Sequence, residues 1–175
     1  TGDNYTIQTA YQGEYVLHVT SGFSGINPGD YLRLQMDGGD YMESDWAVNC
    51  MAQIVRVESI SATDIHLHSP LRHDFPADNN PFIRKINPAH DVQIDQVKIL
   101  RDDNADAHRK NISFYNAVNC KVLAIESQYC DFCHIGITSS SNIEVYGSYF
   151  HDAFGYDGGG RAYGVEIDNG AGENL

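Results

Sequence analysis

An internal repeat in the second half limits what this chain can become more than any other feature. Three segments, His90-Asp91-Val92-Gln93-Ile94, Val118-Asn119-Cys120-Lys121-Val122 and Ser141-Asn142-Ile143-Glu144-Val145, share one pattern. Each places Asp or Asn before an apolar residue, then a polar residue and a second apolar one. Glu173-Asn174-Leu175 begins the same pattern again. The Asx positions are 28 (91 to 119), 23 (119 to 142) and 32 (142 to 174) residues apart. A strand-like segment precedes each one: Ile83-Arg84-Lys85-Ile86, Ile112-Ser113-Phe114, Ile135-Gly136-Ile137 and Val165-Glu166-Ile167. A third apolar pair follows in three of the units, at Val97/Ile99, Ala124/Ile125 and Tyr149/Phe150.

A unit of two or three such short strands cannot bury its own core. Stacked on its neighbours it can, which predicts a parallel β-solenoid. The Asx residue belongs at a sharp corner, where it tolerates left-handed backbone angles and where like side chains of successive rungs can hydrogen-bond in a ladder. A β-sandwich with coincidental spacing is the competing fold, and it accounts for fewer of the matched features.

The first half follows a different rule. Gln53 to Ile60 (QIVRVESI) and Asp64 to Ser69 (DIHLHS) alternate apolar and polar residues around the short Ser61-Ala62-Thr63 link. They predict an antiparallel hairpin with Val55, Val57, Ile65 and Leu67 facing inward. Tyr15–Thr20 and Asp30–Met36 read as further strands, the latter introduced by the turn signal Asn27-Pro28-Gly29-Asp30. Residues 70–81, with three of the five prolines, read as a loop or crossover. The chain is therefore expected to be all-β. A small antiparallel β region spans 1–81, and parallel β-helix rungs run from 82 to 175 and onward into a longer protein.

Asp and Glu outnumber Lys and Arg by 24 to 11, for a formal charge of −13. Such a chain repels nucleic-acid phosphates and anionic membranes, so neither is an expected partner. The surplus acid suits solubility, calcium binding or neutral sugars. No run approaches the ~20 apolar residues of a membrane helix, so no membrane insertion is expected. Four cysteines, Cys50, Cys120, Cys130 and Cys133, permit two disulfides in three pairings and fit an oxidising compartment. Asn4-Tyr5-Thr6 and Asn111-Ile112-Ser113 are glycosylation sequons.

The stretch from Asn111-Ile112-Ser113-Phe114 through Ile143-Glu144-Val145 resembles the right-handed β-helix repeats of the pectate-lyase-like superfamily. Gly13 to Leu32 resembles the β segment that often precedes the helix in such proteins, and His151 to Val165 is similar to a loop of secreted bacterial members. The resemblance implies a right-handed parallel β-helix, secreted or displayed at a cell surface. It leaves the activity open, because the superfamily holds lyases, hydrolases, epimerases, tailspikes and adhesins.

The loop from His151 to Tyr163 is the first candidate for chemistry, since a long loop on a rigid scaffold is where function tends to sit. His151, Asp152, Asp157, Arg161 and Tyr163 are its candidate binding residues. Asp157, Arg161, Glu166 and Asp168 are the candidates for catalysis, because glycoside cleavage needs two carboxyl groups and uronate elimination needs a base and a cation. Glu166, between Val165 and Ile167, is expected to face outward on its strand. Cys130-Asp131-Phe132-Cys133-His134 matches the Cys-x-x-Cys-His pattern of haem c attachment, and Cys130, Cys133 and His134 could also hold zinc. Buried or disulfide-bonded thiols are the plainer alternative, and no cofactor is expected. Calcium remains an option at Asp102-Asp103-Asn104-Ala105-Asp106 and Asp37-Gly38-Gly39-Asp40, neither of which has EF-hand spacing. His108-Arg109-Lys110 could meet an acidic sugar, and Trp46 and the tyrosines could stack on sugar rings. The leading expectation is a polysaccharide-interacting or structural, adhesive β-helix segment that is able to self-associate. A polysaccharide lyase or glycoside hydrolase is the alternative, and a haem protein a remote one.

Overall fold

In the computed structural model, described for residues 3–39, 42–48, 50–104, 108–156 and 160–170, strands dominate. The chain divides into two compact units, Thr1–Pro88 and Ala89–Leu175. Among the described residues no helix is long and apolar enough to cross a membrane.

The first unit is a six-stranded antiparallel sheet in the order β1-β6-β3-β4-β5-β2. Its strands are β1 (Asn4–Thr6), β2 (Val16–His18), β3 (Tyr31–Gln35), β4 (Ala52–Ser61), β5 (Asp64–Leu67) and β6 (Phe82–Ile86). The expected hairpin is β4–β5, with Val57 opposite Leu67 and Ile60 opposite Ile65. The register shifts between Val57 and Ser59. That irregularity moves Ile60 onto the face already occupied by Val55 and Val57, so Ile60 packs on the core although simple alternation would turn it outward. Val55, Val57, Ile65 and Leu67 are buried as expected. The 70–81 segment does more than connect, because Leu71 and Phe75 are core residues. Gln53 clamps its start, donating to the Pro70 carbonyl at 3.1 Å and accepting from the Arg72 amide at 3.0 Å.

One expected rung is not a rung. Ile83-Arg84-Lys85-Ile86 lies in β6, which pairs antiparallel with both β1 and β3. Its Ile83 belongs to the first core, and the division between the units falls at Pro88 rather than after residue 81.

In the second unit the chain visits three parallel sheets in strict rotation. Sheet I holds β7 (Ala89–His90) with β8 (Gln93–Asp95), then β11 (Ala117–Leu123) and β14 (Ser141–Tyr146). Sheet II holds β9 (Lys98–Leu100), β12 (Glu126–Gln128) and β15 (Tyr149–His151). Sheet III holds β10 (Lys110–Tyr115), β13 (Cys133–Thr138) and β16 (Tyr163–Asp168). The path runs I, II, III three times over, and every pairing is parallel.

In sheets I and III the repeat read from the sequence is the register. In sheet II it is not, because Ser127 is the partner of Ile99 and Phe150, while Ala124 is a corner residue at φ 50°. Ile112, Ile135 and Val165 form one column and Phe114, Ile137 and Ile167 the next. Cys120 pairs with Ile143, and both are buried. Val92 continues their column but is exposed, because it stands in the first turn, which has no preceding turn stacked on it within its unit. Asp91, Asn119 and Asn142 take φ of 57°, 56° and 56°, and the Asn142 amide donates to the Asn119 carboxamide oxygen at 2.8 Å. Asn174, the expected fourth member, lies outside the described residues. Further left-handed columns do not keep one residue type throughout: Gln96, Ala124 and Gly147 between sheets I and II, Tyr129 and Asp152 after sheet II, and Asn116, Ser139 and Asn169 after sheet III. An apolar cavity of about 400 Å³ is lined by Ile137, Val145, Phe150, Val165 and Ile167 among others.

Candidate functional site

Among the described residues the longest connections lie between sheets II and III, at 101–104 and 108–109, at 129–132, and at 152–156 and 160–162. Because the strands are stacked, the described parts of these loops are stacked as well. The Phe154 amide donates to the Cys130 carbonyl at 3.0 Å, the Phe132 amide to Arg109 at 3.3 Å and the Tyr163 amide to Phe132 at 3.0 Å. Tyr129 lies face to face with Phe154 at 5.3 Å. His108 and Tyr163 each meet Phe132 edge-on.

Inside this corner runs a line of polar groups. Asn111 donates to the Ser127 hydroxyl at 2.9 Å and to the Tyr129 carbonyl at 2.8 Å. Ser127 is fully buried, and its hydroxyl lies 2.9 Å from Nδ1 of His134. Having accepted from Asn111, the hydroxyl has its own proton for Nδ1, which leaves Nε2 of His134 to the backbone of Asp152. Burial holds the His134 pKa below its ordinary value, so the neutral ring is favoured. Its ring stacks on Phe150 at 5.5 Å. Asn111 is therefore a structural side chain, committed on two sides, rather than an available glycan acceptor.

The outer face of sheet II carries the polar cluster best placed to meet a ligand. Lys98 and Glu126 are register partners, as are Gln128 and His151. Lys98 Nζ donates to Glu126 Oε1 at 2.8 Å, and His151 Nε2 lies 3.2 Å from the same oxygen. These two contacts, Lys98 first, hold the Glu126 carboxyl below its usual range, so it is an acceptor and not a proton donor at neutral pH. Asp152 Oδ2 accepts from Gln128 at 3.2 Å and lies 3.1 Å from His151 Nδ1. Tyr149 stacks on His151 with ring centroids 4.5 Å apart, while 63% of Tyr149 stays exposed.

The candidates taken from the 151–168 region do not gather at one point. His151 and Asp152 join the sheet II cluster. Arg161 turns to Asp131, with NH1 3.6 Å from a carboxylate that is itself buried. Glu166 and Asp168 project from sheet III to Lys110 Nζ, at 2.5 Å and 3.8 Å. Glu166 does leave its strand on the side away from Val165 and Ile167, but it is paired there and only 21% exposed. Asp157 lies outside the described residues, as do Asp40, Ala105, Asp106 and the Trp46 side chain. Lys98, Glu126 and Tyr149 were not singled out from the sequence. Their signal is the rung alignment itself, which puts Lys98, Glu126 and Tyr149 in one column.

Cys120, Cys130 and Cys133 are buried thiols, so the two-disulfide arrangement does not form. Burial pushes the Cys133 thiol up to about 12, aided by the nearby Glu166, and raises Cys130 as well. Neither is poised as a thiolate nucleophile or ligand. Among the described residues no three His, Cys, Asp or Glu side chains converge in a way that would hold a metal ion. Asp103, from the acidic run considered for calcium, is taken by Arg101 at 2.8 Å and Arg109 at 3.3 Å.

No family model and no curated protein matches the chain. Solved structures do. The Gp54 tailspike of Acinetobacter baumannii bacteriophage AP22, in complex with A. baumannii capsular saccharide, aligns with a TM-score of 0.64 at 13% identity, over 85% of this chain and 34% of that one. The Pseudomonas phage phi297 tailspike gp61 aligns with a TM-score of 0.51 at 13% identity, over 83% of this chain and 29% of that one. The chain spans about a third of the length of the tailspikes it matches. At this identity the likeness is one of fold, an all-β chain with antiparallel strands in the first unit and parallel sheets in the second.

Proposed function

We propose that the second unit is three turns of a right-handed parallel β-helix, and that the chain is the polysaccharide-binding part of a secreted or surface-displayed protein. The observation that carries this reading is the fold shared over 85% of the chain with a tailspike whose structure holds a capsular saccharide. The outer face of sheet II supports it. An exposed tyrosine offers an apolar ring face, and ionised or amide groups beside it accept and donate hydrogen bonds, which is the combination a sugar surface needs. The flank repeats from rung to rung, as suits a linear chain of sugars.

Glu126 is held ionised, which fits binding to hydroxyls better than acid catalysis. The reading is tested by affinity electrophoresis of the purified chain in gels containing individual capsular polysaccharides, with reducing-end release measured in parallel. Retardation without chain cleavage is expected. Migration unchanged by every polysaccharide tested would sink the glycan reading.

A further inference from the structure

The second unit has six Lys and Arg residues (98, 101, 109, 110, 121 and 161) against thirteen Asp and Glu. All six cations are within 4 Å of a carboxylate. Lys98 pairs with Glu126, Arg101 and Arg109 with Asp103, Lys110 with Glu166, Lys121 with Glu144, and Arg161 with Asp131. The pairs differ in how firmly they hold. Asp131 is 1% exposed, so an Arg161 drawn away to a ligand would leave a buried carboxylate behind. Lys110 is 18% exposed and faces two carboxylates. Lys98 and Lys121 are exposed and their pairs are weak, but each carries its counter-charge with it, so the local field of the pair stays near zero. His151 sits between Glu126 and Asp152.

Resting on the glycan reading above, we propose that the glycan this unit takes is uncharged. Its sugars carry hydroxyl or acetamido groups, with no carboxylate, sulfate or phosphate, and one ring lies on the Tyr149 face of the Tyr149–His151 stack. Stacking on His151 fixes the tyrosine before a ligand arrives, which lowers the ordering cost of binding. Glu126 keeps Oε2 for a sugar hydroxyl while Lys98 and His151 share Oε1. An anionic sugar in the same place would meet Glu126 and Asp152 with no cation to spare.

The test uses matched pairs of polymers: several uronate-containing capsular polysaccharides, and the same polymers with their carboxyls reduced to primary alcohols. Binding is measured by calorimetry for the wild-type chain and for Tyr149→Ala, with circular dichroism as the control for folding. At least one reduced polymer should bind about tenfold or more tighter than its acidic parent. That affinity should stay flat between about 50 and 500 mM salt, since no ion pair is formed. Tyr149→Ala should lose about tenfold while keeping the wild-type spectrum. Tighter binding of the acidic parents, weakened by salt, or binding indifferent to reduction, overturns the charge class and leaves the glycan reading intact. Wild-type affinity in Tyr149→Ala overturns the placement of the ring. Failure of every polymer to bind removes the glycan reading and this proposal together.

Discussion

The side chain of Lys110 crosses the face of Gly136 and meets Glu166 two strands away, at 2.5 Å. A Cβ on Gly136 would stand 2.0 Å from Lys110 Cδ and 2.8 Å from Nζ. The glycine is thus the gap through which one rung reaches the next but one. Nζ also donates to Thr138 at 3.0 Å, so all three turns of sheet III are tied at one point.

Gly136→Ala should therefore displace the lysine and leave Glu166 and Asp168, both largely covered, without their cation. A loss of about 1–2 kcal/mol in unfolding free energy is expected for this partly exposed network. The same substitution in a Lys110→Ala background should cost almost nothing. Equal costs in both backgrounds, measured by denaturant titration, would assign the effect to the alanine itself.

The corner column makes a second prediction. Asn119 sits at φ 56° and accepts from Asn142, so both its backbone and its side chain are used. Asn119→Gly keeps the conformation and loses one exposed hydrogen bond, whereas Asn119→Val forces a β-branched residue into the left-handed region. The valine variant should be the less stable by about 1–2 kcal/mol. Equal denaturation midpoints for the two variants would refute the corner role.

His134 predicts a pH dependence. Its folded pKa lies below the ordinary 6.5 because the ring is buried, with one nitrogen receiving the Ser127 proton. Below about pH 6.5 the unfolded chain takes up a proton that the folded one resists, so stability falls with acidification until the folded pKa is passed. Above that range the group contributes no slope. His134→Gln should flatten this part of the stability profile relative to wild type. A wild-type profile level from pH 7.5 down to 5, or an unchanged slope in the variant, would count against it.

For the thiols we expect slow chemistry and no cofactor. Cys130 and Cys133 should resist iodoacetamide in the native state and react on unfolding, since burial keeps both protonated. The intact mass should equal that of the polypeptide, and a Soret band or an added haem mass would overturn the expectation.

How far the sequence reached depended on the range of the interaction. The columns Ile112–Ile135–Val165 and Asp91–Asn119–Asn142 were legible because stacking copies one local pattern at each turn, and periodicity along a chain records that. The columns Gln96–Ala124–Gly147 and Asn116–Ser139–Asn169 were not, since a corner can be made by unlike residues when backbone hydrogen bonds do the holding. Ile83–Ile86 looked like a rung because a strand of five residues shows its faces and not its partners. Its antiparallel place beside β1 and β3 was decided by the core that Ile83 enters. The candidate site was the least legible. Lys98 and His151 reach Glu126 from 28 and 25 residues away, and Lys110 reaches Glu166 from farther still. By itself the sequence determined that strands would repeat, turn at Asx and stack. Only the tertiary structure decided which charges would meet, because side chains pair across turns whose lengths are set by loops that carry no period.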